Sequence, residues 1–218
     1  MHRLMMTSTA YRQSSAMTPV LEKADPDNQF VSRMPLRRMD AEVLNDTMLA
    51  VAGELDPRMF GPPDPVLVRD DGLVTPVKLE TGWRRGIYIN QRRSNLPTLL
   101  DNFDYPQMSP ACLARTQSNV APQALHLLNN STVYELAEDF AGRLEKEAGS
   151  DANRQVEQAY WIALSRAPSE EEKQVATEDL LKLKQTAAKQ ANSERAAHQA
   201  LTAFCHTILN SAAFLYID

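Results

Sequence analysis

A chain of 218 residues, 43% of them hydrophobic, is long enough to bury one sizeable core, or one core and a helical appendage. Its formal net charge of -5 lies wholly in residues 131–218, where 9 Lys+Arg face 14 Asp+Glu, because residues 1–130 balance 14 against 14. That balance leaves no basic excess for a nucleic-acid groove, and no run approaches the roughly 18 apolar residues of a membrane span.

The first residues, MHRLMMTSTAYRQSS, have neither the apolar length nor the cleavage pattern of a signal peptide. HRLMM reads as the end of an amphipathic helix with no cap before it, so a fragment truncated at its N-terminus is expected. TSTAYRQSSAMTP should be an extended connector, and residues 19–24 one or two helical turns closed by DPDN. From Arg37 to Leu55 the positions Met39, Val43, Met48, Leu49, Ala52 and Leu55 fall on one stripe, which is helical periodicity. DPRMFGPPDP is proline and glycine punctuation. Residues 73–90 hold two short strands, LVTPVKL and RRGIYIN, expected to pair as a small ribbon. LPTLLDNF is a short helix, DYPQMSPAC a loop, and APQALHLLNN a helix that begins near Ser118, with Pro122 in or just before its first turn.

From Ser131 the chain reads as helices. STVYELAEDFAGRLEKEAG opens on a capping Ser and stops at Gly149, DANRQVEQAYWIALSRAP stops at Pro168, and SEEEKQVATEDLLKLKQTAAKQ opens with a capping box of Ser169 and Glu172. A last helix from about Ser193 carries Ala197, Leu201, Phe204, Cys205, Ile208 and Leu209 on one face, and Tyr160, Trp161 and Phe204 read as core. The expected fold is mainly α: an irregular, loop-rich half with a small β-ribbon over residues 1–130, and an antiparallel helical bundle over 131–218, packed as one domain.

The cations differ in kind between the halves: 12 of the first 14 are Arg, whereas 5 of the last 9 are Lys. Arginine's planar fork suits fixed contacts to carboxylates, sulfates or phosphates, so such contacts belong in the first half. Cys112 and Cys205 give no metal spacing, and the four histidines are scattered, His198 and His206 being two helical turns apart. Neither a metal nor a cofactor is expected in this chain.

The succession TSTAYRQSS, DPDNQFVSRMPLRRMDAEVLNDTMLAVAGELD, GPP, RRGIYI, FDYP, CLART, APQALHLLNN, LSRAPSEEE and ILNSAAFLYID resembles, in order and over nearly the whole chain, the C-terminal domain of unknown function of large planctomycete proteins that also carry cytochrome c-like domains. The resemblance implies a helical segment leading into HRLMM and a parent protein exported to the periplasm or cell envelope. It also implies neighbouring domains of that parent as partners, with haem c held in one of them through a Cys-x-x-Cys-His motif absent here. The family's motif positions fall on Tyr11, Arg12, Arg37, Arg38, Glu42, Gly53, Arg84, Arg85, Tyr88, Asp104, Cys112, Arg115, Gln123 and Asn129. Two departures stand out: Ala212, Ala213 and Phe214 replace a common Asn-Glu-Phe, and ARTQSN stands where paired threonines are commoner.

Three functions follow. The first is a non-catalytic structural or interaction module whose Arg and carboxylate pairs lock loops together. The second is binding or hydrolysis of an anionic polysaccharide, with Arg84, Arg85, Arg93, Arg115 and Gln123 around the ligand and Asp104 or Glu42 as acid or base. The third is an electron-transfer accessory whose arginines pair with haem propionates of another domain. Arginines each buried on a carboxylate favour the first, and an open arginine-lined pocket the second. Arg84 and Arg85, adjacent on a strand, must point to opposite faces, and the inward one needs a carboxylate: Asp104 first, Glu42 second. Arg115 is expected to clamp the Cys112 loop to the ribbon in the same way.

Overall fold

The computed structural model describes residues 1–106, 112–189 and 193–217, with only the backbone at 193 and 194. In chain order the elements are α1 (His2–Met6), α2 (Pro19–Ala24), β1 (Arg37–Arg38), α3 (Ala41–Ala52), β2 (Leu55–Asp56), β3 (Val66–Val68), β4 (Val74–Pro76), β5 (Trp83–Arg84) and a 3-10 turn at Gly86–Tyr88. There follow α4 (Thr98–Asn102), α5 (Ala121–Asn129), α6 (Ser131–Ala148), α7 (Ala152–Leu164), α8 (Glu170–Ala187), α9 (Ser193–Leu209), α10 (Ala212–Leu215) and β6 (Tyr216–Ile217). The fold is mainly α, with sheets of only two strands among the described residues. Two compact units result, Met1–Met39 with Tyr216–Asp218, and Asp40–Leu215.

In the smaller unit β1 pairs antiparallel with β6, Arg37 opposite Ile217. Thr18 caps α2 by accepting the Leu21 N–H, and Pro19 supplies the fixed φ of its first turn. The DPDN stop is a built knot. Asp25 accepts the Gln29 N–H at 2.7 Å, the Phe30 N–H at 3.1 Å and the Ser32 hydroxyl at 2.9 Å, while Arg33 Nη1 donates to the Asp25 carbonyl at 2.8 Å. Acidic side chains fold back on nearby N–H groups in this way where the chain must turn.

The larger unit is built on α6, whose Val133, Leu136, Phe140 and Leu144 are buried against α3 and α9. Helix α8 contributes Leu180, and α9 contributes Leu201, Phe204, Cys205, Ile208 and Leu209. The stripe of α3 is rotated from the one read in the sequence: Leu44 is buried and Val43 exposed. Trp161, expected in the core, is 51% exposed, because α7 buries Gln155, Val156 and Ala159 on its opposite side. Asn130, rather than Ser131, caps α6, its Oδ1 accepting the Thr132 N–H at 2.8 Å and the Val133 N–H at 3.3 Å. The chain therefore passes residue 130 without a break, since Asn130 ends α5 and starts α6. Ser169 and Glu172 form the expected capping box on α8. The loop expected over DYPQMSPAC runs into residues 107–111, which lie outside the described residues.

The strands near 73–90 exist, but they do not pair with each other. β4 returns on β3 as an antiparallel hairpin, and β5 pairs in parallel with β2, Asp56 opposite Arg84. The hairpin follows from DDG: the Gly72 N–H bonds the Arg69 carbonyl at 2.9 Å with φ +84°, the left-handed turn residue that closes a short hairpin loop. The parallel pair follows from the end of α3. Gly53, at φ +83°, lets the Glu54 N–H reach back to the Leu49 carbonyl, and the Glu54 carbonyl then accepts the Trp83 N–H at 3.0 Å.

Candidate functional site

Strand β5 places Trp83 and Arg84 in the interior and leaves Arg85 exposed. The carboxylate that meets Arg84 is Asp64, which replaces the expected Asp104 and Glu42. Arg84 Nε lies 2.9 and 3.1 Å from the two Asp64 oxygens and Nη2 2.5 Å from Oδ1, with both side chains 7% exposed. Nη1 donates to the Phe60 carbonyl at 2.7 Å and Nη2 to the Pro62 carbonyl at 2.6 Å, and the Tyr88 ring covers the guanidinium at 4.6 Å. The loop FGPPD is thus folded around one arginine. Hydrogen bonding to Asp64 raises the Arg84 pKa above its usual value.

Asp56, opposite Arg84 in the parallel pair, accepts Arg58 Nε at 2.7 Å and the Thr81 hydroxyl at 2.6 Å. These bonds hold its carboxyl well below the usual carboxylate range.

Arg115 does act as a clamp, but on α3 rather than on a ribbon. Its Nη1 and Nη2 meet Glu42 Oε2 and Oε1 at 2.9 and 2.5 Å, and Asp40 lies 3.4 Å from Nη1. The Arg115 hydrogen bond lowers the Glu42 pKa. Asp104, at φ +63°, turns both oxygens to Ser118, accepting its N–H and its hydroxyl at 2.8 Å each. Gln123 is buried beneath them. It donates to the Asn102 carbonyl at 3.0 Å and to Ser118 Oγ at 3.1 Å, and its Oε1 accepts the Val120 N–H at 3.3 Å. Gln123 and Asp104 therefore share a partner, whereas Arg84, Arg93 and Arg115 are not brought onto one ligand.

Arg85 faces an open groove of about 580 Å³ with an apolar floor of Val43, Val51, Leu55 and Ile162, beside Asp46 and Arg143. Burial raises the Asp46 pKa, although its Oδ1 accepts the Gly86 N–H at 2.6 Å. Arg143 is already engaged with the Ala50 and Val51 carbonyls and with Glu147. Arg93 is exposed, and the Cys112 thiol, also exposed, turns to the Ala114 carbonyl at 3.1 Å.

Sequence reasoning missed two residues beside the core. His126 lines a largely apolar cavity of about 40 Å³ with Met48, Trp83 and Leu136. The amides of Asn102 and Asn130 lie 3.2 Å from its Nδ1 and Nε2. Because Asn130 Oδ1 is committed to capping α6, its NH2 must face Nε2, which accepts. Burial lowers the His126 pKa, so the ring is held neutral. No isolated signal marks this pair, although His-x-x-x-Asn spans one helical turn.

Among the described residues no group of three or more His, Cys, Asp or Glu is placed to hold a metal ion, and no helix is long and apolar enough to cross a membrane. No significant similarity to a curated protein or a solved structure is found. Residues 1–180 match the family described as PSD1, protein of unknown function (DUF1553), and the chain belongs to that family.

Proposed function

We propose that the chain is a non-catalytic interaction module, in which arginine–carboxylate clamps hold loops in one shape and present them to neighbouring domains of a larger protein. The fate of Arg84 carries this reading: the guanidinium is buried, and its donors are taken by Asp64, Phe60 and Pro62 of one loop. The two carboxylates considered as acid or base are similarly committed, Glu42 to Arg115 and Asp104 to Ser118. A general acid or base must reach a substrate proton, and both oxygens of each are already engaged. The sequence resemblance supports a context for the module: the C-terminal part of an exported multidomain protein, beside c-type cytochrome domains that hold the haem themselves.

The test is incubation of the purified chain with sulfated and uronic polysaccharides, following the release of reducing ends. No release is expected, and Asp104→Asn and Glu42→Gln should change stability alone. Release that either substitution abolishes in a chain with unchanged circular dichroism would overturn the reading.

A further inference from the structure

The Arg84 clamp does more than close a loop. It holds Phe60 at φ +69°, a conformation costly for a side chain with a Cβ, and keeps that ring 79% exposed. Both backbone groups of Phe60 are tied down: the carbonyl accepts Arg84 Nη1, and the N–H donates to the Tyr88 hydroxyl at 3.1 Å. Met59 beside it is 67% exposed, Leu67 on the hairpin 56%, and Ile87 on the 3-10 turn 77%. Backbone bonds lace these segments into one loop cluster, the Asp64 N–H to the Tyr88 carbonyl at 2.7 Å and the Asn90 N–H to the Asp64 carbonyl at 2.8 Å. Phe60 stands on pinned backbone and cannot withdraw by local refolding without breaking the clamp, and Leu67 is held opposite Thr75 in the hairpin.

The charge of the same cluster leans positive. Residues 57–100 hold six arginines and Lys78 against four carboxylates, Asp64, Asp70, Asp71 and Glu80. Arg84 consumes Asp64, Arg69 pairs with Asp71 in the hairpin loop, and Arg58 pairs with Asp56. Arg92 and Arg93, in the turn closed by the Asn95 N–H on the Arg92 carbonyl, are exposed and make no ion pair among the described residues. A polyanionic chain would use the arginines and leave the apolar side chains idle. A protein socket would have to be shaped to several separate loop tips. The headgroup and acyl boundary of a bilayer is fluid, accepts separate apolar side chains, and attracts arginines when its lipids are anionic.

We infer that this loop cluster docks the protein on an anionic lipid surface, with Phe60, Met59, Leu67 and Ile87 entering the boundary and Arg92 and Arg93 meeting the headgroups. The inference rests on the interaction-module reading and names its partner. That reading survives if the lipid test fails, because the polysaccharide assay tests it separately.

Co-sedimentation of the full chain with vesicles decides the matter, comparing pure phosphatidylcholine with a mixture containing about one third phosphatidylglycerol. Binding should require the anionic lipid and fall at least about fivefold between about 0.05 and 0.5 M NaCl. Phe60→Ser with Ile87→Ser, and separately Arg92→Gln with Arg93→Gln, should each lower it by about fivefold or more, with unchanged circular dichroism. Absence of binding, or equal binding to neutral vesicles, overturns the inference. So does binding that survives the Phe60 and Ile87 changes but is lost with the arginines, particularly if heparin is retained in parallel. That last pattern would mark a polyanion-binding face.

Discussion

Arg84 and Asp64 stand twenty residues apart in the chain and meet as a buried pair, the guanidinium reaching both carboxylate oxygens through Nε. Removing one member of such a pair leaves an uncompensated charge in the interior, which costs more than the pair itself contributes. Asp64→Ala is therefore expected to lower the melting temperature by roughly 5 to 10 °C, while Arg85→Gln, at an exposed residue just past the strand, changes it by less than about 1 °C. The double change Arg84→Met with Asp64→Leu should recover part of the loss. Thermal unfolding followed by circular dichroism measures all three, and equal mild effects for Asp64→Ala and Arg85→Gln would show that the pair is solvated.

Gly82 is where the parallel pairing of β2 and β5 is most exposed to a single change. Its φ is +102°, and a Cβ added there would collide with the Glu54 carbonyl oxygen, the group that accepts the Trp83 N–H. Gly72 shares the positive φ, at +84°, but a Cβ there would meet nothing within 4 Å. Gly82→Ala should cost more than about 2 kcal/mol and Gly72→Ala about 1 kcal/mol, because only the first adds a clash to the backbone strain. Urea unfolding of the two variants gives the comparison, and similar values would mean that Glu54 can shift at little cost.

Much of the helical part was legible because its signals are local. Ser169 with Glu172, Gly149, and the 3.6-residue spacing of α6 and α9 act within one or two turns and need no distant partner. The loop-rich part was legible only to first order. Only one of Arg84 and Arg85 faces inward, as expected, but strand alternation is not the cause: the adjacent strand residues Trp83 and Arg84 are both buried, and Arg85 already caps the 3-10 turn. Which carboxylate meets Arg84 is not a local matter either. Asp64 lies inside GPPDP, which reads as punctuation, and its place is set by the hairpin that turns at Gly72 and by the backbone bonds to Tyr88 and Asn90. Asp104, the first partner expected from sequence, is turned by its positive φ onto Ser118 instead. Trp161 illustrates the converse limit, since helical spacing gives a stripe and packing decides which residues belong to it.

His126 makes the stability of this unit pH-dependent above the carboxylate range. Burial lowers its folded pKa below the ordinary 6.5, and Asn130, fixed as the α6 cap, offers NH2 to Nε2. The unfolded chain binds the proton first as pH falls, so the contribution is fully present above about 6.5 and is lost progressively as pH falls from there through the lowered folded value. Melting temperatures of the wild type should drop between about pH 7.5 and 5, and His126→Gln should remove most of that slope while lowering stability throughout. A slope unchanged in the variant would place the titrating group elsewhere.

Glu172 gives the complementary case at acid pH. Its Oε2 accepts Arg166 Nη1 and the Ser169 N–H, and its Oε1 accepts Arg166 Nη2, each at 2.7 Å, while Ser169 Oγ accepts the Glu172 N–H at 3.1 Å. Hydrogen bonding by Arg166 first, and by the Ser169 N–H second, lowers the Glu172 pKa from 4.5 to about 2. The folded state binds the proton less readily than the unfolded one, so this stabilisation is present above about pH 4.5 and is lost as pH falls toward 2. The side chains of Arg166 and Glu172 are 47% and 35% exposed, so solvent screening holds the contribution to under about 1 kcal/mol. Glu172→Gln keeps a side chain able to return to the Ser169 N–H but removes the charge, whereas Ser169→Ala removes the cap and costs about 1 kcal/mol at any pH. In urea unfolding, the difference between wild type and Glu172→Gln should be constant above about pH 5 and should shrink steadily below 4.5. A difference that persists undiminished to about pH 2 would assign the effect to the geometry of the cap instead of the charge.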